Sequence, residues 1–238
     1  MEDLSRWEML QGWLSSRASA MRWAIAARRR QLRGSTGAFT VGEVSDRAQH
    51  LTQMWDLRWG DSQPIGYRFR IDHPERWVRF HSLPDSKRFA DNDEDYREIL
   101  HRHRTVLEEL LGGEPVDTLV VIGTDYGPRD GAAGQTRKQL VDAWPWRRHW
   151  SADYECWWYF WVKSATLTFG DLNDLLLGAA DERADVIIAD AQLSWIYHPY
   201  AGGADVILPS RVEADVLRDR HCDWLPEDSA GPACSASP

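Results

Sequence analysis

Seven consecutive apolar residues, CWWYFWV at 156–162, constrain the fold of this chain more than any other stretch. Successive side chains of a strand point to opposite faces, so a half-buried strand alternates apolar with polar. Here both alternating faces are apolar. The stretch therefore predicts a strand covered on both sides and placed centrally in its sheet.

Around it the pattern switches between period two and period 3.6. Strands are expected near 65–71, 76–82, 117–123, 156–163, 185–190, 193–198 and 204–208, and helices near 92–111, 170–180 and 210–222. The first of these helices places Tyr96, Ile99, Leu100, His103, Val106, Leu107 and Leu110 on one stripe, opens with the acidic run DNDED and stops at Gly112-Gly113. The last has Ser210 as N-cap with Glu213 three residues on, a capping box. Hairpins at the front and back with interspersed helices indicate an α+β fold: a mixed, mostly antiparallel sheet with about three packed helices. Residues 124–150, with YGPRDGAAGQ and three tryptophans, read as a long irregular connection.

Three regions are expected. Residues 1–51 form a basic extension, helical over 4–33 with Trp7, Leu10, Leu14, Met21 and Ile25 near helical spacing. Residues 52–226 form one α+β domain, and 227–238 a disordered tail without apolar content. Residues 1–33 hold seven arginines against three acidic residues, so they carry +4 of the overall −9 and the remainder carries −13. Such an acidic body disfavours nonspecific nucleic-acid binding and attracts a basic partner surface. No run approaches the roughly 18 uninterrupted apolar residues of a membrane span. The longest uncharged apolar stretch near the N-terminus, Trp23 to Ala27, is too short for a secretory signal core. Cys156, Cys222 and Cys234 are odd in number and widely spaced, arguing against a disulfide framework and a structural zinc site; a reducing cytoplasm is expected.

The acidic body nevertheless contains one cation-rich stretch, WVRFHSLPDSKR at 77–88. Pairing IGYRFRI with RWVRFHS as a hairpin sorts Tyr67, Phe69, Ile71, Val78 and Phe80 onto one face. Arg68, Arg70, Trp77, Arg79 and His81 then take the other. A four-residue loop sets Arg68 opposite Arg79, unfavourable unless something negative sits between them. Arginine forks suit phosphate or carboxylate. The candidate anion-binding set is Arg68, Arg70, Arg79, His81, Ser82, Ser86, Lys87, Arg88 and His103, with His81 the candidate proton-transfer residue. The bland alternative is a structural network in which Asp91, Asp93, Glu94, Asp95, Glu108 or Asp205 neutralises these cations, with Arg70 stacked over Trp77. His101 and His103 point about 200 degrees apart on a helix and cannot chelate one ion together. His198, in YHPYAGGAD, reads as a structural residue ending a strand.

Phosphate-loop, nucleophile-elbow and HExxH signatures are absent from the sequence, and DNDED lacks the glycine and terminal glutamate of a calcium loop. No metal and no cofactor are expected.

RWVRFHSLPDSKR, its acidic spacer and the helix YREILHRHRTVLEEL together resemble the bacterial family known as domain of unknown function 3885. Its members show W-V-R-F-H-S-L-P-x-S-K-R and then a helix with L-x-R-H. YHPYAGGADVI and RDRHCDWLP resemble that family's later strand, turn and final helix, so the likeness covers about residues 52–226. The family's turn reads Asp-Asp-Arg-Gly-x-Asp; here only Gly203 and Asp205 correspond. The resemblance implies membership and no particular activity. Two functions are expected from different classes: a non-catalytic binding module that could neutralise a basic protein, or an enzyme or sensor for a phosphorylated small molecule using the Arg/His/Lys cluster.

Overall fold

In the computed structural model, which describes residues 46–127, 134–152, 154–164 and 168–226, CWWYFWV forms most of a strand that is paired along both edges. Tyr159 and Trp161 enter one hydrophobic cluster, while Cys156, Trp158, Phe160 and Val162 enter a second on the opposite side of the sheet. Coverage on both faces is thus as the sequence implies. The central position is not: in the order β1-β7-β6-β5-β2-β4-β3 this strand, β4, lies one in from the edge. Two-sided burial reports what covers the faces of a strand, and a strand next to an edge is covered as well as a middle one.

The strands are β1 (Trp77–His81), β2 (Val120–Gly127), β3 (Trp144–Ser151), β4 (Cys156–Ser164), β5 (Val186–Ala189), β6 (Ile196–Tyr200) and β7 (Gly203–Ile207). Every pairing among them is antiparallel, so the fold is α+β as expected, with no parallel pair among the described strands. Six helices accompany them among the described residues: α1 (Asp46–Trp59), α2 (Phe69–Asp72), α3 (Asp93–Leu111), α4 (Gln135–Gln139), α5 (Phe169–Ala180) and α6 (Arg211–Arg220). The expected helix over 4–33 and the tail over 227–238 lie outside the described residues.

Helices α3, α5 and α6 close one face through Val106, Leu107, Leu172, Leu176, Ala214 and Leu217. Their termini follow the residues that mark them. Asn92 accepts the amides of Glu94 and Asp95, Thr168 and Asp171 form a capping box, and Ser210 accepts the Glu213 amide at 3.2 Å. Gly112, at φ +59°, ends α3 in the left-handed conformation that glycine adopts without strain. Helix α1, not read from the sequence, covers the other face; its buried Ala48, Leu51, Trp55 and Trp59 recur at helical spacing, so side chains before residue 52 already contact the sheet.

Two further expectations fail. The connection over 124–150 contains the end of β2, the short α4 and the edge strand β3, whose Pro145 and a register shift before Arg147 break the alternation. Proline is tolerated at such an edge, where its missing N–H costs no ladder bond. Residues 65–71 are not a strand: Gly66–Arg68 is a 3₁₀ turn that runs into α2. The expected hairpin is absent, and β1 pairs with β7 instead. A hairpin would have set Arg68 against Arg79, whereas β7 sets Asp205 opposite Arg79. Phe69 therefore packs under α1 while Val78 and Phe80 face α3 and α6, on opposite sides of the sheet, and Ile71 is 62% exposed.

Candidate functional site

Strand pleating places Arg79 of β1, Asp205 of β7 and His198 of β6 directly across from one another, on the face opposite α3, α5 and α6. Arg79 donates from Nε and Nη2 to the two Asp205 oxygens at 2.7 and 2.9 Å, the fork geometry that favours arginine over lysine. Its guanidinium lies 5.1 Å from the Trp77 ring and 5.5 Å from the Tyr200 ring. The Tyr200 hydroxyl donates to Asp205 Oδ1 at 3.2 Å. Burial first, and then the Asp205 charge, push the Tyr200 phenol well above its usual value. His198 continues the row toward Asp185, with Nε2 3.5 Å from Oδ1. A Cβ on Gly66 would stand 2.2 Å from the His198 ring. The turn at 66–68 can close over this histidine only because residue 66 is glycine.

This row floors a cleft of about 400 Å³ lined by Tyr67, Arg70, Arg79, His81, Ser86, Arg88, His198, Tyr200, Ala201, Gly202 and Asp205. Three arginines thus meet a single lining carboxylate, which Arg79 already occupies. Asp85 and Ser86 both have φ near +55°, an uncommon conformation for residues with a Cβ. That bend brings Ser86 Oγ to 3.3 Å from His81 Nε2 and returns Arg88 to the rim. The Arg88 backbone passes so close to Gly202 that a Cβ there would lie 3.3 Å from the Arg88 Cα. Arg88 donates to Glu182 at 2.6 Å, and both side chains are more than half exposed. No such partner holds Arg70 among the described residues.

Of the nine candidates read from the sequence, Arg70, Arg79, His81, Ser86 and Arg88 come together in the cleft. The other four do not. Arg68 lines a separate small cavity and pairs with Asp72 at 3.8 Å, because its segment is helical. Lys87 turns away to Asp91 and Asp95, at 2.8 and 2.5 Å; hydrogen bonds to the two carboxylates raise its pKa, and Asp95 is correspondingly held low. Ser82 and His103 are buried on the helical side of the sheet, since Ser82 follows His81 and pleating sends it to the other face. There Ser82 Oγ lies 2.9 Å from His103 Nε2, and the Tyr197 hydroxyl lies 2.6 Å from Nδ1. Burial lowers the His103 pKa to about 4. The neutralising carboxylates foreseen for this face include the true partners Asp205, Asp91 and Asp95, and the cation over Trp77 is Arg79, not Arg70.

Sequence reasoning missed Tyr67, Tyr200 and the placement of His198. The spacing His198-x-Tyr200 around a Gly-Gly turn does put both rings on one strand face, but the opposing turn at 66–68 comes from far along the chain. The cleft continues past these rings into a second cavity of about 320 Å³, where Asp125 and Asp185 are found. Asp125 is committed to the start of α4: its oxygens accept the Thr136 and Arg137 amides at 3.1 and 3.0 Å, while burial raises its pKa. No group of three or more His, Cys, Asp or Glu side chains is arranged to hold a metal among the described residues. No described helix is long and apolar enough to cross a membrane.

No curated protein and no solved structure matches this chain. Residues 65–229, which include every element from the turn at Gly66 to α6 and so the whole cleft, match the family described as a domain of unknown function (DUF3885), and the chain belongs to that family.

Proposed function

We propose that the protein is a binding module whose cleft takes a small molecule through an anionic group, phosphate or carboxylate. One observation carries this reading: Arg70 reaches the cleft with no carboxylate partner among the described residues, beside Arg79, His81 and Arg88. An unpaired guanidinium in a concave site has donors to offer, and each charged hydrogen bond to an anion contributes roughly 1.5–3 kcal/mol. Arg88 can join, because an exposed ion pair such as that with Glu182 stabilises by at most about 1 kcal/mol. Arg79 is held by Asp205 and adds field and shape. A basic protein would be repelled from this face.

Two imidazoles line the cleft: His81, whose side-chain partner among the described residues is Ser86, and His198, which lies toward Asp185. Among the described residues no third side chain orients the His81–Ser86 pair, which favours binding over catalysis.

Calorimetric titration with inorganic phosphate and with ethyl phosphate tests the reading. Saturable binding is expected, weakened about tenfold or more by Arg70→Ala. Heats indistinguishable from dilution, or a variant that binds as the natural protein does, would overturn it.

A further inference from the structure

The cationic cleft and the second cavity share Tyr67, Arg88, His198 and Tyr200, so they form one groove with two chemically different ends. Arg70 stands at the first end and Arg88 where the two meet, while Arg183, which lines the second, is held by Asp181 at 3.0 Å. At the second, Asp185 is a carboxylate that no arginine or lysine takes up among the described residues. The nearest ring nitrogen, His198 Nε2, is 3.5 Å away, too long for a good hydrogen bond. Its backbone is held on both sides, the amide donating to Thr136 Oγ1 at 3.0 Å and the carbonyl accepting from the Thr124 amide at 2.8 Å. The side chain, 41% exposed, is thus a solvated acceptor on a fixed stretch of backbone.

From this we infer that the groove recognises an amphoteric small molecule: a phosphate or carboxylate joined by a short carbon chain to an amine. The inference rests on the anion-binding reading and specifies the other end of the ligand. The anion meets Arg70 and Arg88, the amine meets Asp185, and the chain between them lies along the rings of Tyr67, His198 and Tyr200. The His198 and Tyr200 rings lie 5.4 Å apart at the junction, tilted by 42°, and give the middle of the groove an aromatic wall. His198 Nδ1 is buried and has no hydrogen-bond partner among the described residues.

The two ends also discriminate. A phosphate with an uncharged tail leaves Asp185 without a partner, and one with a second anionic group is repelled by it. When the ligand's anion engages Arg88, Glu182 is released at the rim of the second cavity, adding a negative charge where the amine sits. Both effects favour the amine.

Calorimetric titration of the full chain with O-phosphoethanolamine, ethyl phosphate and phosphoglycolate separates the possibilities. O-Phosphoethanolamine is expected to bind about tenfold tighter than ethyl phosphate, with phosphoglycolate the weakest. Asp185→Asn should lower O-phosphoethanolamine to the affinity of ethyl phosphate and leave ethyl phosphate itself unchanged; Arg70→Ala should weaken both. Equal affinities for the first two compounds in the natural protein would overturn the amine end while the anion site stands. Equal loss of both in Asp185→Asn would assign that residue to the fold and overturn it likewise. If none of the three binds, the anion site and the amine end fall together.

Discussion

Tyr197 and His198 are neighbours on β6, yet pleating sends them into opposite kinds of polar environment. Tyr197 faces the helices, where it, His103 and Ser82 form a chain of hydrogen bonds sealed from water. A neutral imidazole has one donor and one acceptor, and two hydroxyls satisfy both. His198 faces the groove, where Arg79 and Asp205 are mutually satisfied but Arg70 and Asp185 are left with capacity to spare. The same residue types thus serve two ends. A closed network in which the imidazole is met on both nitrogens specifies packing, and an open one with charges in excess suits a ligand.

The largest effect is expected where these roles overlap. Asp205 is 1% exposed and accepts from both Arg79 and Tyr200. Asp205→Ala leaves a half-buried guanidinium unpaired between two rings and should cost about 3 kcal/mol in urea denaturation. A loss under about 1 kcal/mol would mean that water solvates Arg79 freely and that the Arg79–Asp205 pair adds little to stability.

Next in size is a pH dependence confined to the sealed side. The His103 pKa is lowered from 6.5 to about 4 by burial. Between those values the unfolded chain binds the proton and the folded protein does not. The contribution is therefore complete above pH 6.5 and is lost as pH falls toward 4. At about pH 5 the loss comes to about 2 kcal/mol. His103→Gln, neutral at every pH, should flatten that slope, and an unchanged slope would place its origin elsewhere.

Smaller still is Tyr197→Phe, which removes one hydroxyl and leaves His103 Nδ1 buried without its partner. About 1–2 kcal/mol should be lost, while affinity for ethyl phosphate stays as it was, because the change lies behind the sheet. A drop in affinity would show that the two faces of β6 are coupled.

This division explains which parts of the molecule the sequence makes legible. Helices α3, α5 and α6 and strands β4 to β7 carry their own periodicity, caps and turns, all local signals. Sorting Arg79 and His81 away from Val78 and Phe80 needs only the pleat of β1. Identifying the partner of β1 needs information 126 residues away, at Asp205. The alternation Y-R-F-R-I suits a strand in isolation, but a single helical turn also buries Phe69 while leaving Arg70 at the cleft. Arg70 thus reaches the predicted site by a different route from the one its pattern suggests. The edge strand β3 hides behind Pro145 and its arginines, since an edge needs no clean alternation. Asp185, expected as the first residue of a strand, directly precedes β5, and nothing in its local pattern marks it until the fold brings His198 beside it.

Lys87 offers the smallest expected effect and a direct test of how the motif WVRFHSLPDSKR divides. Read along the sequence, Lys87 and Arg88 are adjacent cations just after a proline turn, equally suited to an anion. In the fold, the left-handed pair Asp85-Ser86 turns Arg88 over Gly202 and commits Lys87 to Asp91 and Asp95 at the start of α3. There the lysine also bridges to the residue whose carboxylate accepts the Asp91 amide at 2.7 Å, tying the turn to the helix. Lys87→Ala should accordingly leave the affinity for ethyl phosphate unchanged and shift the melting temperature no further than replicate melts scatter, because exposed ion pairs contribute little. Arg88→Ala, one residue on, should weaken the same ligand. If Lys87→Ala were the more damaging of the two for binding, the turn would have to open in solution and present the lysine to the cleft. The boundary between anchoring and ligand-facing cations would then fall one residue earlier in the chain.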